Sequence, residues 1–422
     1  METTKRRIAL YSHDGMGIGH VRRNLLIAQA ISHAMPDSSI LLIAGVYEAG
    51  AFKMPPNIDC LTLPSLKKSS AGSYEPRRLV CTEDRIFQMR SSAIHAAVEC
   101  FDPHVMIVDK VPRGVAHELD ETLAGLRRKP AVKCVLGLRD ILDEPSGVRR
   151  EWMREGNEQA IQNFYDAIWV YGDRSAYDAS AEYGWSSSTT AKIAYTGYLE
   201  RCGDRIADDS PQAAEIRSNL HLPPGKINLC LVGGGEDGAP LAEAFTAAEI
   251  PDGSIGVVLA GPFMPADARQ RLHLAAEQNP RLKVLDFLAD PSPLIRLADR
   301  AVAMGGYNCV GELLCAGTPS LIVPRVAPRH EQLIRAQRFA EMGLIEMLHP
   351  DRLSAQALTD WMSRPHKLSA SRGRLDFDGL TRIPKLLREL IAQPKVDVRI
   401  TVPASAASLR PATPASVPSV LA

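Results

Sequence analysis

Short apolar runs alternate along the chain with longer stretches whose apolar positions recur every three or four residues. The runs read as buried strands, and the stretches between them as helices that cover the strands. In the first half the strands are predicted at RIALYS (7–12), SILLIAG (39–45), HVMIVD (104–109), KCVLGLRD (133–140), AIWVYGD (167–173) and AKIAYTGYLERC (191–202). A helix starts near His20, with Val21, Leu25, Ala28 and Ile31 along one stripe, and another runs to Glu99. The second half restarts the pattern with KINLCLV (226–232), SIGVVLAGP (254–262), LKVLDFL (282–288), and strands at 301–303 and 321–323. Helices are expected at 266–278, 309–316, 331–342, 354–362 and 378–393.

Strand–helix alternation of this kind builds parallel sheets through right-handed crossovers. All loops that follow strands then lie at one edge, where open α/β sheets bind ligands. The Pro-, Asp- and Ser-rich segment 206–225 separates the halves. The expected organisation is an α/β chain of two Rossmann-like domains, 1–205 and 226–378, joined by the linker 206–225. A C-terminal helix (379–393) and a disordered Ala/Pro/Ser/Val-rich tail (394–422) complete it.

Composition narrows the partners. A chain of 422 residues is long for one core, which agrees with two domains. Lys+Arg and Asp+Glu both number 49, so no overall field attracts nucleic acid. The eight cysteines form no CxxC pair and sit mostly in apolar runs, which predicts reduced core residues. No apolar run reaches the roughly 20 residues that span a bilayer. The chain leads straight into a strand without a signal peptide, and the expected location is cytoplasmic.

Two glycine loops follow the first strand of each half. Gly15, Gly17 and Gly19 form G-x-G-x-G, not the G-x-G-x-x-G of dinucleotide binders, and no acid ends the second strand. Gly233, Gly234, Gly235 and Gly238 form the second loop, whose backbone N–H groups suit phosphate oxygens. No Lys-Ser/Thr follows it, so it is not a nucleoside-triphosphate P-loop. His20, in the first helical turn, is either a local cap or a base facing the cleft; a helix N-terminus lowers an imidazole's pKa, which suits a base. Asp109 and Arg139, at strand ends, could touch an acceptor or serve as a loop cap or ion pair. The polar segment 65–90, basic at Lys67, Lys68, Arg77 and Arg78, reads first as a solvated loop, with an acceptor, diphosphate or lipid-headgroup contact as the functional alternative. Glu312 stands in an apolar helix beside the Gly305-Gly306 turn, and Glu331 opens a helix whose dipole it complements. Arg325 and Arg329 suit either local ion pairs or a diphosphate.

Four motifs then combine: SHDGMGIGHVRR (12–23), MGGYN (304–308), VPR (323–325) and EQLIRA (331–336). With them the chain resembles the GT-B glycosyltransferases. The nearest family is that of the peptidoglycan UDP-N-acetylglucosamine transferase, with its glycosyltransferase 28 C-terminal domain. Within it the chain is closest to a bacterial group of predicted glycosyltransferases. The likeness runs over residues 5–392 and is strongest from 226 to 345. It implies a GT-B architecture with two domains facing across a cleft. It also implies transfer of a hexosyl or N-acetylhexosaminyl group from a UDP-linked sugar to a hydroxyl acceptor, inverting and independent of metal; no DxD-like motif stands near the donor loops.

By position the resemblance implies that His20 is the base and that Glu312 binds the ribose hydroxyls. The backbone of Leu288 would meet the base edge. Gly234, Gly235 and Glu236 would form the diphosphate loop, with glycine where the relative has serine. Arg201 would approach the diphosphate, and Glu331 and Gln332 the donor sugar's hydroxyls. Gly306, Asn308 and Arg325 complete the implied donor site, and Gly17, Gly19, Asp109 and Arg139 the acceptor site. Tyr198-Leu199 replaces an Asn-Pro pair, and the lipid-acceptor loops do not match. No cofactor is implied, because the nucleotide sugar is a substrate. The partners implied are that donor and a lipid-linked or natural-product acceptor, without nucleic acid, and with peripheral contact at the inner face of the plasma membrane. Two other readings stay open: a non-hydrolysing UDP-sugar 2-epimerase, and a non-catalytic nucleotide-sugar binding protein.

Overall fold

The computed structural model describes residues 6–13, 19–68, 74–365 and 373–393; Gly17 and the tail 394–422 lie outside them. The front half contains β1 (Arg6–Ser12), β2 (Ser38–Ala44), β3 (Ile58–Thr62), a hairpin of β4 (Leu66–Lys68) and β5 (Tyr74–Pro76), β6 (Val105–Asp109), β7 (Lys133–Arg139), β8 (Ala167–Tyr171) and β9 (Ile193–Tyr195). The rear half contains β10 (Lys226–Leu231), β11 (Ser254–Leu259), β12 (Leu282–Leu285), β13 (Arg300–Ala303), β14 (Ser320–Ile322) and β15 (Glu346–Met347). The front sheet runs β3-β2-β1-β6-β7-β8-β9 and the rear one β12-β11-β10-β13-β14-β15, each parallel throughout. Helices cover both faces of a parallel sheet, so its central strands read as continuous apolar runs. All residues of β6 and β11 are buried.

In both sheets the strand order reverses once, between β1 and β6 in front and between β10 and β13 behind. Chains leaving the carboxyl ends of two such strands diverge and open a crevice between them. Gly19, His20 and the Asp109-Lys110 corner border the front crevice. The Gly233–Gly235 and Gly305-Gly306 loops border the rear one.

The halves are held together by charge and by apolar packing. Arg335 donates to Asp140 at 2.7 and 3.0 Å and to Gly305 O at 2.9 Å, and both ionised side chains are buried. One apolar cluster runs through both halves, joining Ile107 and Tyr198 to Tyr307, Leu313 and Leu387. The helix Gly379–Ala392 returns to pack on the helix Gly19–Ala34.

Three expectations change. The segment 206–225 carries the helix Pro211–Leu220. Segment 65–90 holds the β4–β5 hairpin and the start of the helix Glu83–Phe101 rather than a bare loop; Thr82 caps that helix by accepting from Arg85 N. Cys202 and Cys315 are joined as a disulfide, Cα atoms 5.3 Å apart, so this pair is not reduced. In sequence Cys202 lies among Glu200, Arg201 and Asp204 and Cys315 in an apolar helix, and only the return of 202 against the helix Tyr307–Ala316 brings them together.

Candidate functional site

A cavity of about 380 Å³ lies between the two switch points, a size that suits a small-molecule ligand. Its front wall is made by Gly19, His20, His13, Lys110, Arg139 and the hairpin's Tyr74. Its rear wall is made by the loops at Gly233–Asp237, Gly261–Phe263, Phe287-Leu288, Gly306–Cys309 and Arg325–Gln332.

His20 stands on the first turn of the helix Gly19–Ala34, where an apolar stripe (Val21, Leu25, Ala28, Ile31) seats the helix on the sheet. Its Nδ1 meets Asp109 Oδ2 at the end of β6. Asp109 is completely buried and takes Arg23 Nε at 3.0 Å and Nη2 at 2.7 Å. A carboxylate only accepts, so Nδ1 carries the proton; Arg23 Nη2, 2.9 Å from that nitrogen, is a neighbour and not a donor to it. Nε2 is left for the cavity. Burial lowers the His20 pKa to about 4, and Asp109 opposes that drop without cancelling it. Burial raises the Asp109 carboxyl, but Arg23 and His20 outweigh burial and hold it well below its ordinary value. The result is a neutral imidazole of fixed tautomer at neutral pH. Asp109 is thus placed behind His20 and not against an acceptor, because no part of it is exposed. The ring of His13 lies 4.9 Å from that of His20, with Nδ1 buried and without a hydrogen-bond partner among the described residues.

The rear wall is mostly backbone. Gly235 has φ +89°, and a Cβ there would come within 2.3 Å of Ala260 O. Gly261, at φ +84°, lies as close to Gly233 and Gly234, so two glycine loops stack backbone on backbone. Gly306 precedes the helix Tyr307–Ala316 without a side-chain cap, and a Cβ on it would meet nothing within 4 Å. The first-turn N–H groups of that helix therefore open toward the cavity, an arrangement that suits phosphate oxygens. Phe263 and Phe287 flank this wall beside Leu288, and Arg77 from beyond the hairpin lies 5.9 Å over the Phe263 ring.

At the other end Glu331 accepts from Arg325 Nη2 at 2.8 Å, and its Oε2 is buried without a hydrogen-bond partner among the described residues. Burial pushes its carboxyl up, but Arg139, Arg325 and Lys110 prevail and hold it at about 2. Gln332 lines the cavity, yet its Oε1 accepts from Gly305 N at 3.1 Å and Arg325 N at 3.0 Å. That oxygen ties two loops together, and only its amide N–H groups remain for a ligand.

The structure brings together His20, Gly19, Arg139, Gly234, Gly235, Glu236, Leu288, Gly306, Asn308, Arg325, Glu331 and Gln332 around one space. Besides Asp109, two expected residues stand apart. Arg201 is exposed and bonds Gln29, away from the cavity. Glu312 is buried one layer back, accepting from Arg22 Nη2 at 2.7 Å, and Arg22 is the residue that faces the cavity. Burial raises the carboxyls of both Glu312 and its neighbour Glu200. Residues with no role assigned from the sequence include His13, Lys110, Tyr74, Phe263, Phe287 and Arg22. Lys110 was findable, since it directly follows Asp109 at a strand end; the aromatic residues carry no such mark.

The whole architecture has counterparts among solved structures. UGT71G1 of Medicago truncatula, solved with UDP-glucose, superposes with a TM-score of 0.59 over 92% of this chain and 98% of its own, at 12% identity. The fold is GT-B. Among curated proteins, the spore coat polysaccharide biosynthesis protein SpsG of Bacillus subtilis is 28% identical over 199 residues, 43% of this chain and 56% of SpsG. The UDP-N-acetylglucosamine–N-acetylmuramyl-(pentapeptide) pyrophosphoryl-undecaprenol N-acetylglucosamine transferase of Streptococcus pneumoniae is 27% identical over 210 residues, 48% of this chain and 54% of the transferase. The chain thus spans about half the length of the curated relatives it matches. No family model matches it. These relatives bear out the resemblance carried by the four motifs. Among the described residues, no helix is long and apolar enough to cross a membrane.

Proposed function

We propose that this GT-B protein is a glycosyltransferase that moves a hexosyl or N-acetylhexosaminyl group from a UDP-linked sugar to a hydroxyl acceptor, with inversion. The observation that carries the reading is the opposition of two groups across one cavity. A neutral, carboxylate-anchored imidazole stands on the front wall, and an uncapped helix N-terminus among glycine loops stands on the rear wall. Glycosyl transfer needs that pair. The acceptor hydroxyl donates its proton to His20 Nε2 as its oxygen attacks the anomeric carbon. Asp109 stabilises the imidazolium that forms. The bond to the diphosphate breaks, and the departing negative charge falls on the N–H groups of Gly234 and Tyr307. Glu331 Oε2 is available to accept from a sugar hydroxyl, and Phe287 and Leu288 offer an apolar seat for the base.

Isothermal titration with UDP, followed by an assay of UDP release from UDP-glucose and UDP-N-acetylglucosamine with and without candidate acceptors, tests the proposal. Release that depends on an acceptor and is lost in His20→Ala supports it. Epimerised donor with no acceptor would instead mark a 2-epimerase, and tight UDP binding with no turnover on any acceptor would mark a binding protein.

A further inference from the structure

The ends of β6 and β7 place two cations side by side that the transfer just described does not use. Lys110 follows β6 in a left-handed conformation (φ +69°), where its N–H donates to Gly137 O at 2.7 Å. A lysine enters that region only when the surrounding structure holds it there. Its side chain lines the cavity and is half-buried, and its ammonium makes no hydrogen bond or ion pair among the described residues. Arg139 ends the adjacent strand. Its Nε is buried without a hydrogen-bond partner among the described residues, and its Nη1 is 3.9 Å from Glu331 Oε1, an ion-pair distance beyond hydrogen-bond range.

The carboxylates nearby are already taken. Arg325 holds Asp237 at 3.0 Å and Glu331 at 2.8 Å; Arg329 holds Asp143 at 3.5 Å and Glu151 at 3.4 Å. Asp109 is neutralised by Arg23. One surplus cation and one half-satisfied guanidinium therefore remain beside His20 and Glu331. Burial lowers the Lys110 pKa, with Arg139 and Arg329 adding to the fall and Glu331 opposing it, so an anion arriving there would remove a standing repulsion.

We infer that Lys110 and Arg139 bind a negatively charged substituent, a carboxylate or a phosphate monoester, carried by one of the two reactants next to the reacting centre. The inference rests on the glycosyltransferase reading and specifies its substrate. The same chemistry has two sources: the C6 carboxylate of a hexuronate donor, or an acidic group on the acceptor beside the attacked hydroxyl. A neutral hexose joined to a neutral acceptor would leave the pair facing only the carboxylate of Glu331, which Arg325 already holds, and water.

Calorimetric titration of the full chain with UDP, UDP-glucose and UDP-glucuronate, and then of the UDP-saturated protein with inorganic phosphate, separates the sources. A donor origin gives UDP-glucuronate binding about tenfold or more tighter than UDP-glucose, with the preference lost in Lys110→Met and kept in Lys110→Arg. An acceptor origin gives equal donor affinities, and phosphate binding that weakens about tenfold in Lys110→Met. Arg139→Gln carries the same expectation should Lys110→Met fail to fold, and UDP affinity reports the folding of each variant. UDP binding with neither an anion preference nor Lys110-dependent phosphate binding overturns this inference and leaves the functional reading standing. Failure to bind UDP at all overturns both.

Discussion

The two switch points of this molecule share a topology and differ in chemistry. The front one presents side chains that change or hold charge: His20, Asp109, Arg23, Lys110 and Arg139. The rear one presents backbone, made approachable by glycine at 234, 235, 261 and 306. An equivalent crevice can thus be built for proton transfer or for anion cradling, according to whether its loops carry side chains or expose N–H groups. A leaving diphosphate needs fixed dipoles that do not titrate, whereas an attacking hydroxyl needs a group that does.

The largest effect that would break this contrast lies in front. His20→Ala should lower turnover by roughly 10²–10⁴-fold while the UDP dissociation constant moves little, as steady-state kinetics and calorimetry would read. A parallel loss of UDP affinity would mean that the imidazole belongs to donor binding. Asp109→Asn comes next, at about 10²-fold or more, because the amide no longer dictates the tautomer. In the wild type His20 is neutral above about pH 4, so kcat/KM should stay level as pH falls through 6.5 and decline only near 4. Removing Asp109 takes away the attraction that raises the imidazole's pKa and moves that decline lower still. A wild-type decline centred near 6.5 would contradict the buried, neutral base.

Behind, the effects are smaller and divide by the kind of glycine. Glu312→Gln should weaken UDP by about 1.5–3 kcal/mol, if the carboxylate trades Arg22 for ribose hydroxyls on binding; an unchanged titration would confine Glu312 to its ion pair. Gly235→Ala should lower stability by about 1–3 kcal/mol, since the added carbon meets Ala260 O in a left-handed turn. A melting curve reads it directly. Gly306→Ala, with open space around it and φ −65°, should leave the melting temperature within the shift of about 0.5 kcal/mol. The same change should still weaken UDP several-fold, by crowding the helix N-terminus.

Much of the fold was legible along the chain. The buried central strands and the helices at 307–316, 331–341 and 379–392 follow from apolar runs and three-to-four spacing, with errors of one or two residues at their ends. Apart from the short hairpin, the two strands that escaped, Ile58–Thr62 and Glu346–Met347, are both sheet edges. An edge strand is half exposed, so its apolar signal is halved, and only its neighbour's unpaired backbone makes it a strand. Of the site, the glycine loops, His20 and Glu331 were readable because each lies in a short motif with its own physical cause.

The sequence by itself determined the elements, their parallel alternation, the division into two halves and the glycine loops, because those depend on residues close together along the chain. Only the tertiary structure decided that Asp109 backs His20 and that Arg22 covers Glu312. It alone turned Arg201 away from the cavity, joined Cys202 to Cys315 and left Lys110 beside Arg139 without an ion pair among the described residues. Each of these is a contact between distant segments, set by how two sheets and a returning helix pack, and local pattern carries no record of which charges that packing will leave paired.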